Sequence, residues 1–453
     1  MKKTTQIFLN KAFGFDPKKN SVKTEITAGF TTFLTMAYIL AVNPDIFSHI
    51  DGMPRGSVFS ATALAAVVGT LMMAFYAKKP FGLAPGMGLN AFFVYTVCLG
   101  MGYTWQFALT AVLIEGIIFV ILSLTGLRTW LLKAIPGTLN KAIGAGIGMF
   151  IAFIGLQNAG IIVSSPATLV TLGDIMHGKA LLAMIGLVIT AGLAMAKVQG
   201  GILIGILITT LLGIFIKDPA TGSAITTFTY NEAGKAMLVD VPQSVRPIFC
   251  QFEWSHILSW DMLIVVMTFL FIDMFDTMGT IIGVSQGTDM AGKENKTDIK
   301  DFDKMFLSDA VATVAGACLG TSTTTTFVES ASGVGVGGRT GLTSFTTAIC
   351  FAIALFFAPL FLAIPGAATA PALIIVGVMM MHNIKAIHWE NLAKAIPAFV
   401  TIMTMPLAYS ISDGILLGVI FYVLTHAIVG KFRSISPVMW VLAVIFILRY
   451  IFI

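Results

Sequence analysis

Long apolar runs of about 17–25 residues follow one another from residue 25 almost to the end of the chain, separated by short polar or charged stretches. A helix of that length crosses the hydrocarbon core of a bilayer, roughly 30 Å thick. One or two such runs would be a signal peptide or an anchor; a series this long predicts an all-α polytopic membrane protein. The runs fall into two groups of seven. The first comprises 25–44, 57–77, 85–99, 104–125, 138–160, 178–196 and 200–216, and the second 261–284, 303–319, 327–336, 341–362, 367–384, 394–410 and 412–430. Fourteen transmembrane spans are therefore expected, with a further apolar stretch, 437–453, that is either a fifteenth span or a helix packed along the bundle.

The two groups match each other in order. Thr32-Phe33-Leu34 recurs as Thr268-Phe269-Leu270, and Ile135-Pro136-Gly137 as Ile364-Pro365-Gly366. Phe59, Ala63, Ala65, Val67 and Gly69 align without a gap on Phe306, Ala310, Ala312, Val314 and Gly316, and Gly201 and Gly205 on Gly414 and Gly418. Because seven is odd, the second copy must enter the membrane from the opposite side. The expected plan is a 7+7 inverted repeat, as in many secondary transporters.

Two spans break the pattern at matched positions. The third begins Gly82-Leu83-Ala84-Pro85-Gly86-Met87-Gly88, and the tenth follows Thr321-Ser322-Thr323-Thr324-Thr325-Thr326. Proline and glycine interrupt a helix, and a β-branched polar run favours extended backbone. Each broken span is expected to be a short extended segment followed by a half-helix. Non-helical backbone at membrane depth persists only where protein or a water-filled cavity satisfies its amides. The half-helices should then start near a central cavity, with Asn90 heading one and Glu329 the other.

Charge enters next. Hydrophobic residues make up 57% of the chain and charged ones only 11%, too few to cover a soluble surface of this size. The net charge of +5 implies no nucleic-acid partner, because the cations follow topology. Met1–Lys23 carries lysines at 2, 3, 11, 18, 19 and 23 with no cleavable apolar core behind them, and reads as a cytoplasmic lead-in. With that end inside, every lysine and arginine falls on the inner side except Arg55, Lys179, Lys217, Lys235, Arg246 and Arg449, which agrees with the positive-inside bias. The loop 217–260 is the longest outside segment.

Against this background the intramembrane acids stand out. Asp273 and Asp276 share a helical face by their spacing of three, and Asp273 falls about midway along its span. An aspartate there costs about 2.5–3.5 kcal/mol on insertion scales, which marks it as functional unless paired. Asp273 and Glu329 are read as ligand or proton groups, neutralised by protonation or a polar ligand because no membrane lysine or arginine is at hand. Asp276 and Asp309 are read as proton-coupling or supporting groups that hold the broken helices. Glu115 is set aside, since a position near water would leave it needing no partner. Cys98, Cys250, Cys318 and Cys350 are scattered and form no metal or redox spacing, no histidine has metal-ligand spacing, and no cofactor is implied. Gly333–Gly338 lacks the strand–helix context and the Lys-Ser/Thr of a nucleotide loop.

The motifs 82–93 (Gly-Leu-Ala-Pro-Gly-Met-Gly-Leu-Asn-Ala-Phe-Phe), 275–280 (Phe-Asp-Thr-Met-Gly-Thr) and 321–333, together with 27–38 and 371–377, closely resemble bacterial hypoxanthine/guanine permeases of the AzgA-like branch of the nucleobase–cation symporter superfamily. The resemblance runs over nearly the whole chain. It implies a core domain (25–133 and 256–363, spans 1–4 and 8–11) moving against a gate domain (134–255, which includes the external loop, and 364–433; spans 5–7 and 12–14). The lead-in 1–24 and the added segment 434–453 lie outside that plan. It further implies proton symport of a purine nucleobase across the cell membrane, often by a homodimer. Asp273 and Glu329 take the family's substrate carboxylate positions, Asn90 its third-span polar position, and Asp276 and Asp309 its supporting ones. Thr326 and Phe327 join the expected substrate site; Phe92, Phe93 and Phe327 are candidates to stack on the base, plain packing being the alternative for each.

The chemistry agrees. Guanine presents adjacent N–H donors at N1 and the exocyclic amine, hypoxanthine keeps the N1–H, and adenine offers an acceptor at N1. A carboxylate accepts from the first two. Alternatives are an adenine-preferring purine permease, or an anion transporter of the same broad architecture, whose site should lack carboxylates facing the ligand. An intramembrane aspartic hydrolase would need two carboxylates that oppose each other, which residues three apart on one helix do poorly. A channel fits a closed midplane site less well than alternating access does.

Overall fold

The computed structural model describes residues 3–125, 136–219, 222–227, 238–285 and 301–452, and these are mostly helical. Lys2, Arg128, Lys133, Lys235, Lys293, Lys296 and Lys300, whose charges are allocated above to one side or the other, lie outside the described residues. A short amphipathic α1 (Lys3–Phe13) precedes α2 (Val22–Met36) and α3 (Ile39–Phe47), which are separated by a step at Ala37 and Tyr38. Then come α4 (Arg55–Met72), β1 (Leu83–Pro85), α5 (Met87–Ala91), which continues as wider helical turns to Gly100, and α6 (Trp105–Thr125). The chain proceeds through α7 (Gly137–Asn158), the hairpin β2–β3 (Ile162–Ser165 and Leu169–Leu172), α8 (Gly178–Met195) and α9 (Gly201–Leu212). The second half holds α10 (Trp260–Ser285), α11 (Phe302–Leu319), β4 (Thr324–Thr326), α12 (Ser330–Val336), α13 (Gly341–Ala354) and α14 (Ala358–Leu362). It closes with α15 (Gly366–Met380), α16 (Leu392–Leu407), α17 (Ile411–Ile428) and α18 (Pro437–Phe452).

Helix is present in every stretch the hydropathy pattern marks. Among the described residues, nine helical stretches are long and apolar enough to cross a membrane. The others fall short for physical reasons: the broken spans and the helices α9, α16 and α18 are too brief, and α11 carries Asp303, Lys304 and Asp309. The exposed hairpin after α7 was not foreseen from the sequence.

The two interrupted spans meet. β1 and β4 pair antiparallel, with Leu83 opposite Thr326, Ala84 opposite Thr325 and Pro85 opposite Thr324. The pairing continues at both ends: the Gly86 amide donates to the Thr323 carbonyl at 3.0 Å, and the Phe327 amide to the Gly82 carbonyl at 3.0 Å. Side chains satisfy what the ladder leaves over. The Thr70 hydroxyl takes the Leu83 amide at 3.0 Å, Ser330 Oγ takes the Gly82 amide at 3.0 Å, and the Thr313 hydroxyl donates to the Thr324 carbonyl at 3.1 Å. The buried backbone of both segments is thereby partnered, as a low-dielectric interior demands.

Packing sorts the helices into two sets. α2 lies on α12 and α13, α4 on α11 and α13, and α6 on α10 and α11; separately, α7 packs on α15 and α16, α8 on α9 and α15, and α16 on α17. Within the first set the fully buried Glu25 caps the start of α13, accepting the Arg339 and Thr340 amides at 3.1 and 3.2 Å and the Thr343 hydroxyl at 2.5 Å. The C-terminal α18 packs along α17, and the Tyr450 hydroxyl bonds Asp413 at 2.8 Å, near the N-terminal end of α17. Since α18 starts just after α17 ends, the two run antiparallel over nearly their whole length. Leu442, Ile445 and Phe446 face Leu263, Ile264 and Met267 of α10, so α18 also touches the first set.

In the second set, α7 and α15 cross backbone to backbone. A Cβ on Gly148 would stand 2.6 Å from the Gly377 carbonyl oxygen, and one on Gly377 would stand 2.4 Å from that of Gly148. Neither oxygen can move without breaking its helix. Gly148→Val or Gly377→Val should therefore cost about 1–3 kcal/mol or more, the range for overpacking a tight interior. A lowered midpoint in thermal unfolding of the detergent-solubilised protein is the expected result, whereas Gly137→Val, where a Cβ meets nothing within 4 Å, should leave it unchanged.

Candidate substrate site

A cavity of about 600 Å³ lies where the two helix sets face each other around the strand crossing. Its lining comes from α2–α3 (Tyr38), the start of the first half-helix (Gly86–Leu89), α10 (Ile272, Asp276, Thr280), the second interrupted span (Thr326–Glu329), and α7 and α15 of the opposing set. The wall is mostly apolar with a few polar groups, as small-molecule sites generally are. Exposed Met379 and His382, with Lys141 beside them, mark its open end.

At the other end of α15 the two sets are closed against each other. The Thr369 hydroxyl donates to Asp45 Oδ2 at 2.8 Å, and Asn158 Nδ2 donates to the Tyr95 hydroxyl at 3.2 Å. The Tyr95 ring meets Tyr409 edge-on at 5.9 Å and His49 at 5.5 Å, between centroids. The cavity therefore opens toward one face only.

Glu329 sits at the N-cap of α12, held there by the strand that precedes it. The Tyr38 hydroxyl donates to its Oε1 at 2.6 Å, and the Thr35 hydroxyl to its carbonyl at 3.4 Å. With one oxygen occupied by Tyr38, the second is left for the cavity that Glu329 lines. Asp276 lines the same cavity and acts electrostatically on both Glu329 and Tyr38. Thr326 and Phe327 also reach it, with Thr326 Oγ1 donating to Asp309 Oδ1 at 2.8 Å.

The structure places the two aspartates of α10 the other way round from the sequence expectation. Asp276, read there as support, faces the cavity, whereas Asp273, read as a ligand group, is fully buried away from it. Three residues along a helix are roughly 60° apart around its axis, and here that angle separates the cavity wall from the packed interior. Neither Asp273 oxygen makes a well-formed hydrogen bond, although the Thr325 hydroxyl lies within reach. Its neighbours are Asp309, Glu115, Thr325 and Asp276.

Asn90 is likewise turned from the cavity. It lies within α5, whose N-cap is Gly86, and its Oδ1 accepts from Ser322 of the other interrupted span. Asp309 is buried and accepts from Thr277 at 2.9 Å and from Thr326, a local anchor for β4. Glu115 is not near water: it is fully buried, and the Thr323 hydroxyl donates to its Oε2 at 3.2 Å. Tyr38 was missed by sequence reasoning. A tyrosine amid apolar residues midway through a span signals it, because a buried phenol needs a hydrogen-bond partner.

Residues 23–417 match the Permease family (Xan_ur_permease). The chain is 44% identical to the guanine/hypoxanthine permease PbuG of Bacillus subtilis, over 97% of this chain and 99% of that protein. It is 37% identical to the adenine permease AdeP of Escherichia coli, over 99% of this chain and 97% of that one. Among solved structures, the transmembrane domain of a cyanobacterial bicarbonate transporter, BicA, superposes with a TM-score of 0.62 at 16% identity, covering 87% of this chain and 97% of that one, a likeness of fold alone. Matched along most of its length and built from a series of long apolar helices, the chain belongs to the Permease family and is a multi-pass membrane transporter, not an enzyme.

Proposed function

We propose that this protein carries purine bases into the cell together with protons, taking hypoxanthine and guanine ahead of adenine. The observation that carries this reading is the pair of carboxylates, Glu329 and Asp276, on the wall of one largely apolar cavity. An apolar slot suits a flat heteroaromatic ring, and carboxylates select for N–H donors. Glu329, steadied by Tyr38, offers its remaining oxygen to the N1–H edge that guanine and hypoxanthine share. Asp276 accepts a second donor or a proton, and Phe327 lies against the ring. Asp273, Asp309 and Asn90 do not touch the base in this reading. Two relatives named for their substrates add support, since the guanine/hypoxanthine permease is the more similar and the adenine permease the more distant. A small anion would meet two carboxylates at this site, which argues against an anion carrier.

The two packed sets act as core (25–133 with 256–363) and gate (134–255 with 364–433), each drawn from both halves of a 7+7 inverted repeat of fourteen spans. With the N-terminus in the cytoplasm, the open end of the cavity near Lys141 and His382 faces inward. The Asp45–Thr369 and Tyr95–Asn158 contacts then close the outside, and transport consists of exchanging one closed face for the other.

Two outcomes are expected. In cells lacking their own purine permeases, unlabelled guanine should compete with radiolabelled hypoxanthine uptake at least about tenfold more effectively than adenine does, one good hydrogen bond to a charged group contributing roughly 1.5–3 kcal/mol; equal or stronger inhibition by adenine would count against the substrate assignment. Uptake should collapse on adding a protonophore, and Glu329→Gln should abolish accumulation, because an amide both loses the charge and presents a donor to a donor; accumulation at the parental level would refute the role given to Glu329.

A further inference from the structure

Behind the cavity wall, out of reach of the ligand, three carboxyl groups from three helices meet: Glu115 of α6, Asp273 of α10 and Asp309 of α11. All three are fully buried. Asp273 lies within hydrogen-bonding range of both Glu115 and Asp309. The donors around them are unevenly shared. Asp309 accepts hydroxyls on both oxygens, from Thr277 at 2.9 Å and Thr326 at 2.8 Å. Glu115 accepts from Thr323 on Oε2 alone. Glu115 Oε1 and both oxygens of Asp273 are buried with no partner.

Orphaned acceptors in such a place are costly, and carboxylates in contact repel. Glu25 shows how this fold satisfies a buried acid, with two amides and a hydroxyl. Asp273 has nothing comparable. One proton shared between Glu115 Oε1 and an Asp273 oxygen removes the defect, turning two orphan acceptors into a donor and an acceptor. A metal ion is a poorer fit, since the three carboxyls, though neighbours, are not placed as metal ligands would be.

Resting on the proton-coupled reading above, we infer that Glu115 and Asp273 form an occluded proton-binding pair, distinct from the base-binding carboxylates, with Glu115 as a coupling residue. The charged groups acting on Asp273 are Asp309, Glu115 and Asp276. On α11, Lys304 is exposed and bonded to Asp301 at 2.8 Å, and Asp303 lies with it in the first turn of that helix, more than one turn from Asp309. On α10 the remaining acid, Asp261, is at the far end of the helix near Tyr103. In the turns that follow α5, the titratable side chains are Cys98 and Tyr95, the latter bonded to Asn158. Asp276 couples the pair to the cavity: it lies one turn from Asp273 on the same helix, so a proton on the pair weakens repulsion at the carboxylate that meets the base. A proton bound from outside enters with the base. When the base has left on the inner side and water enters the cavity, that same proton passes from the pair to water and the pair returns to its starting charge.

The test uses the full chain in proteoliposomes with radiolabelled hypoxanthine, comparing the parent protein with Glu115→Gln. Accumulation driven by an imposed pH gradient should be lost in Glu115→Gln, and the pH profile of uptake should flatten. Counterflow with hypoxanthine on both sides, which requires no net proton movement, should persist. Gradient-driven accumulation and a pH profile equal to the parent's would overturn the proposal. Should Glu115→Gln fail to fold, Thr323→Val serves in its place. It removes the hydroxyl that favours ionised Glu115, so the pair holds its proton to higher pH and the alkaline limb of uptake should move upward; an unmoved limb would overturn the proposal equally. A parent protein indifferent to the pH gradient would instead remove the proton-coupled reading itself, a result distinguishable because it appears without any substitution.

Discussion

Backbone that leaves a helix inside an apolar bundle must find hydrogen-bond partners, and in this protein two such segments find each other. The pairing of Leu83–Pro85 with Thr324–Thr326 satisfies amides that would otherwise cost several kcal/mol each in hydrocarbon. Most of the site follows from that pairing. It fixes where both half-helices begin, and so sets Glu329 at the head of one and Gly86–Leu89 along the cavity at the head of the other. Its threonines do double duty: alternate side chains of a strand point to opposite sides, and Thr323, Thr325 and Thr326 all reach acids or hydroxyls that anchor the crossing to α6, α10 and α11.

Much of this was legible in the sequence because its causes are local. Pro85 with its flanking glycines, and the run Thr321–Thr326, break helices wherever they occur, so the interrupted spans and their extended lead-ins could be located from composition alone. The long apolar runs located the remaining helices for the same reason. The acids were found by their rarity, but their facing was not. Whether Asp273 or Asp276 meets the cavity depends on how α10 is rotated against its neighbours, and spacing within one helix carries no information about that. Glu115 was misjudged in the same way, since its partners Thr323 and Asp273 come from distant parts of the chain. Tyr38 was overlooked because nothing in its own segment reveals that Glu329, far along the chain, lies beside it.

The buried acids divide by the donors around them rather than by depth. Glu25 and Asp309 are surrounded by amides or hydroxyls and serve to fasten segments together. Glu329 has the Tyr38 phenol, its own amide and an open side. Asp273 makes no well-formed hydrogen bond, with only the Thr325 hydroxyl in reach. Counting donors thus separates acids that fasten segments together from acids left with few partners, a distinction that neither burial nor charge alone provides.

The closed face of the molecule carries a kinetic consequence. Asp45–Thr369 and Tyr95–Asn158 are side-chain contacts between the helix sets, reinforced by the Tyr95, Tyr409 and His49 rings rather than by interlocked backbone. Hydrogen bonds of this kind contribute only about 0.5–1.5 kcal/mol net each, and edge-on rings a similar amount. Their sum lies within the free energy that a single small ligand supplies on binding at micromolar affinity, roughly 8 kcal/mol. A seal so lightly fastened lets occupancy of the cavity decide which face is shut, and sets the turnover of the carrier by how often a few side chains let go together.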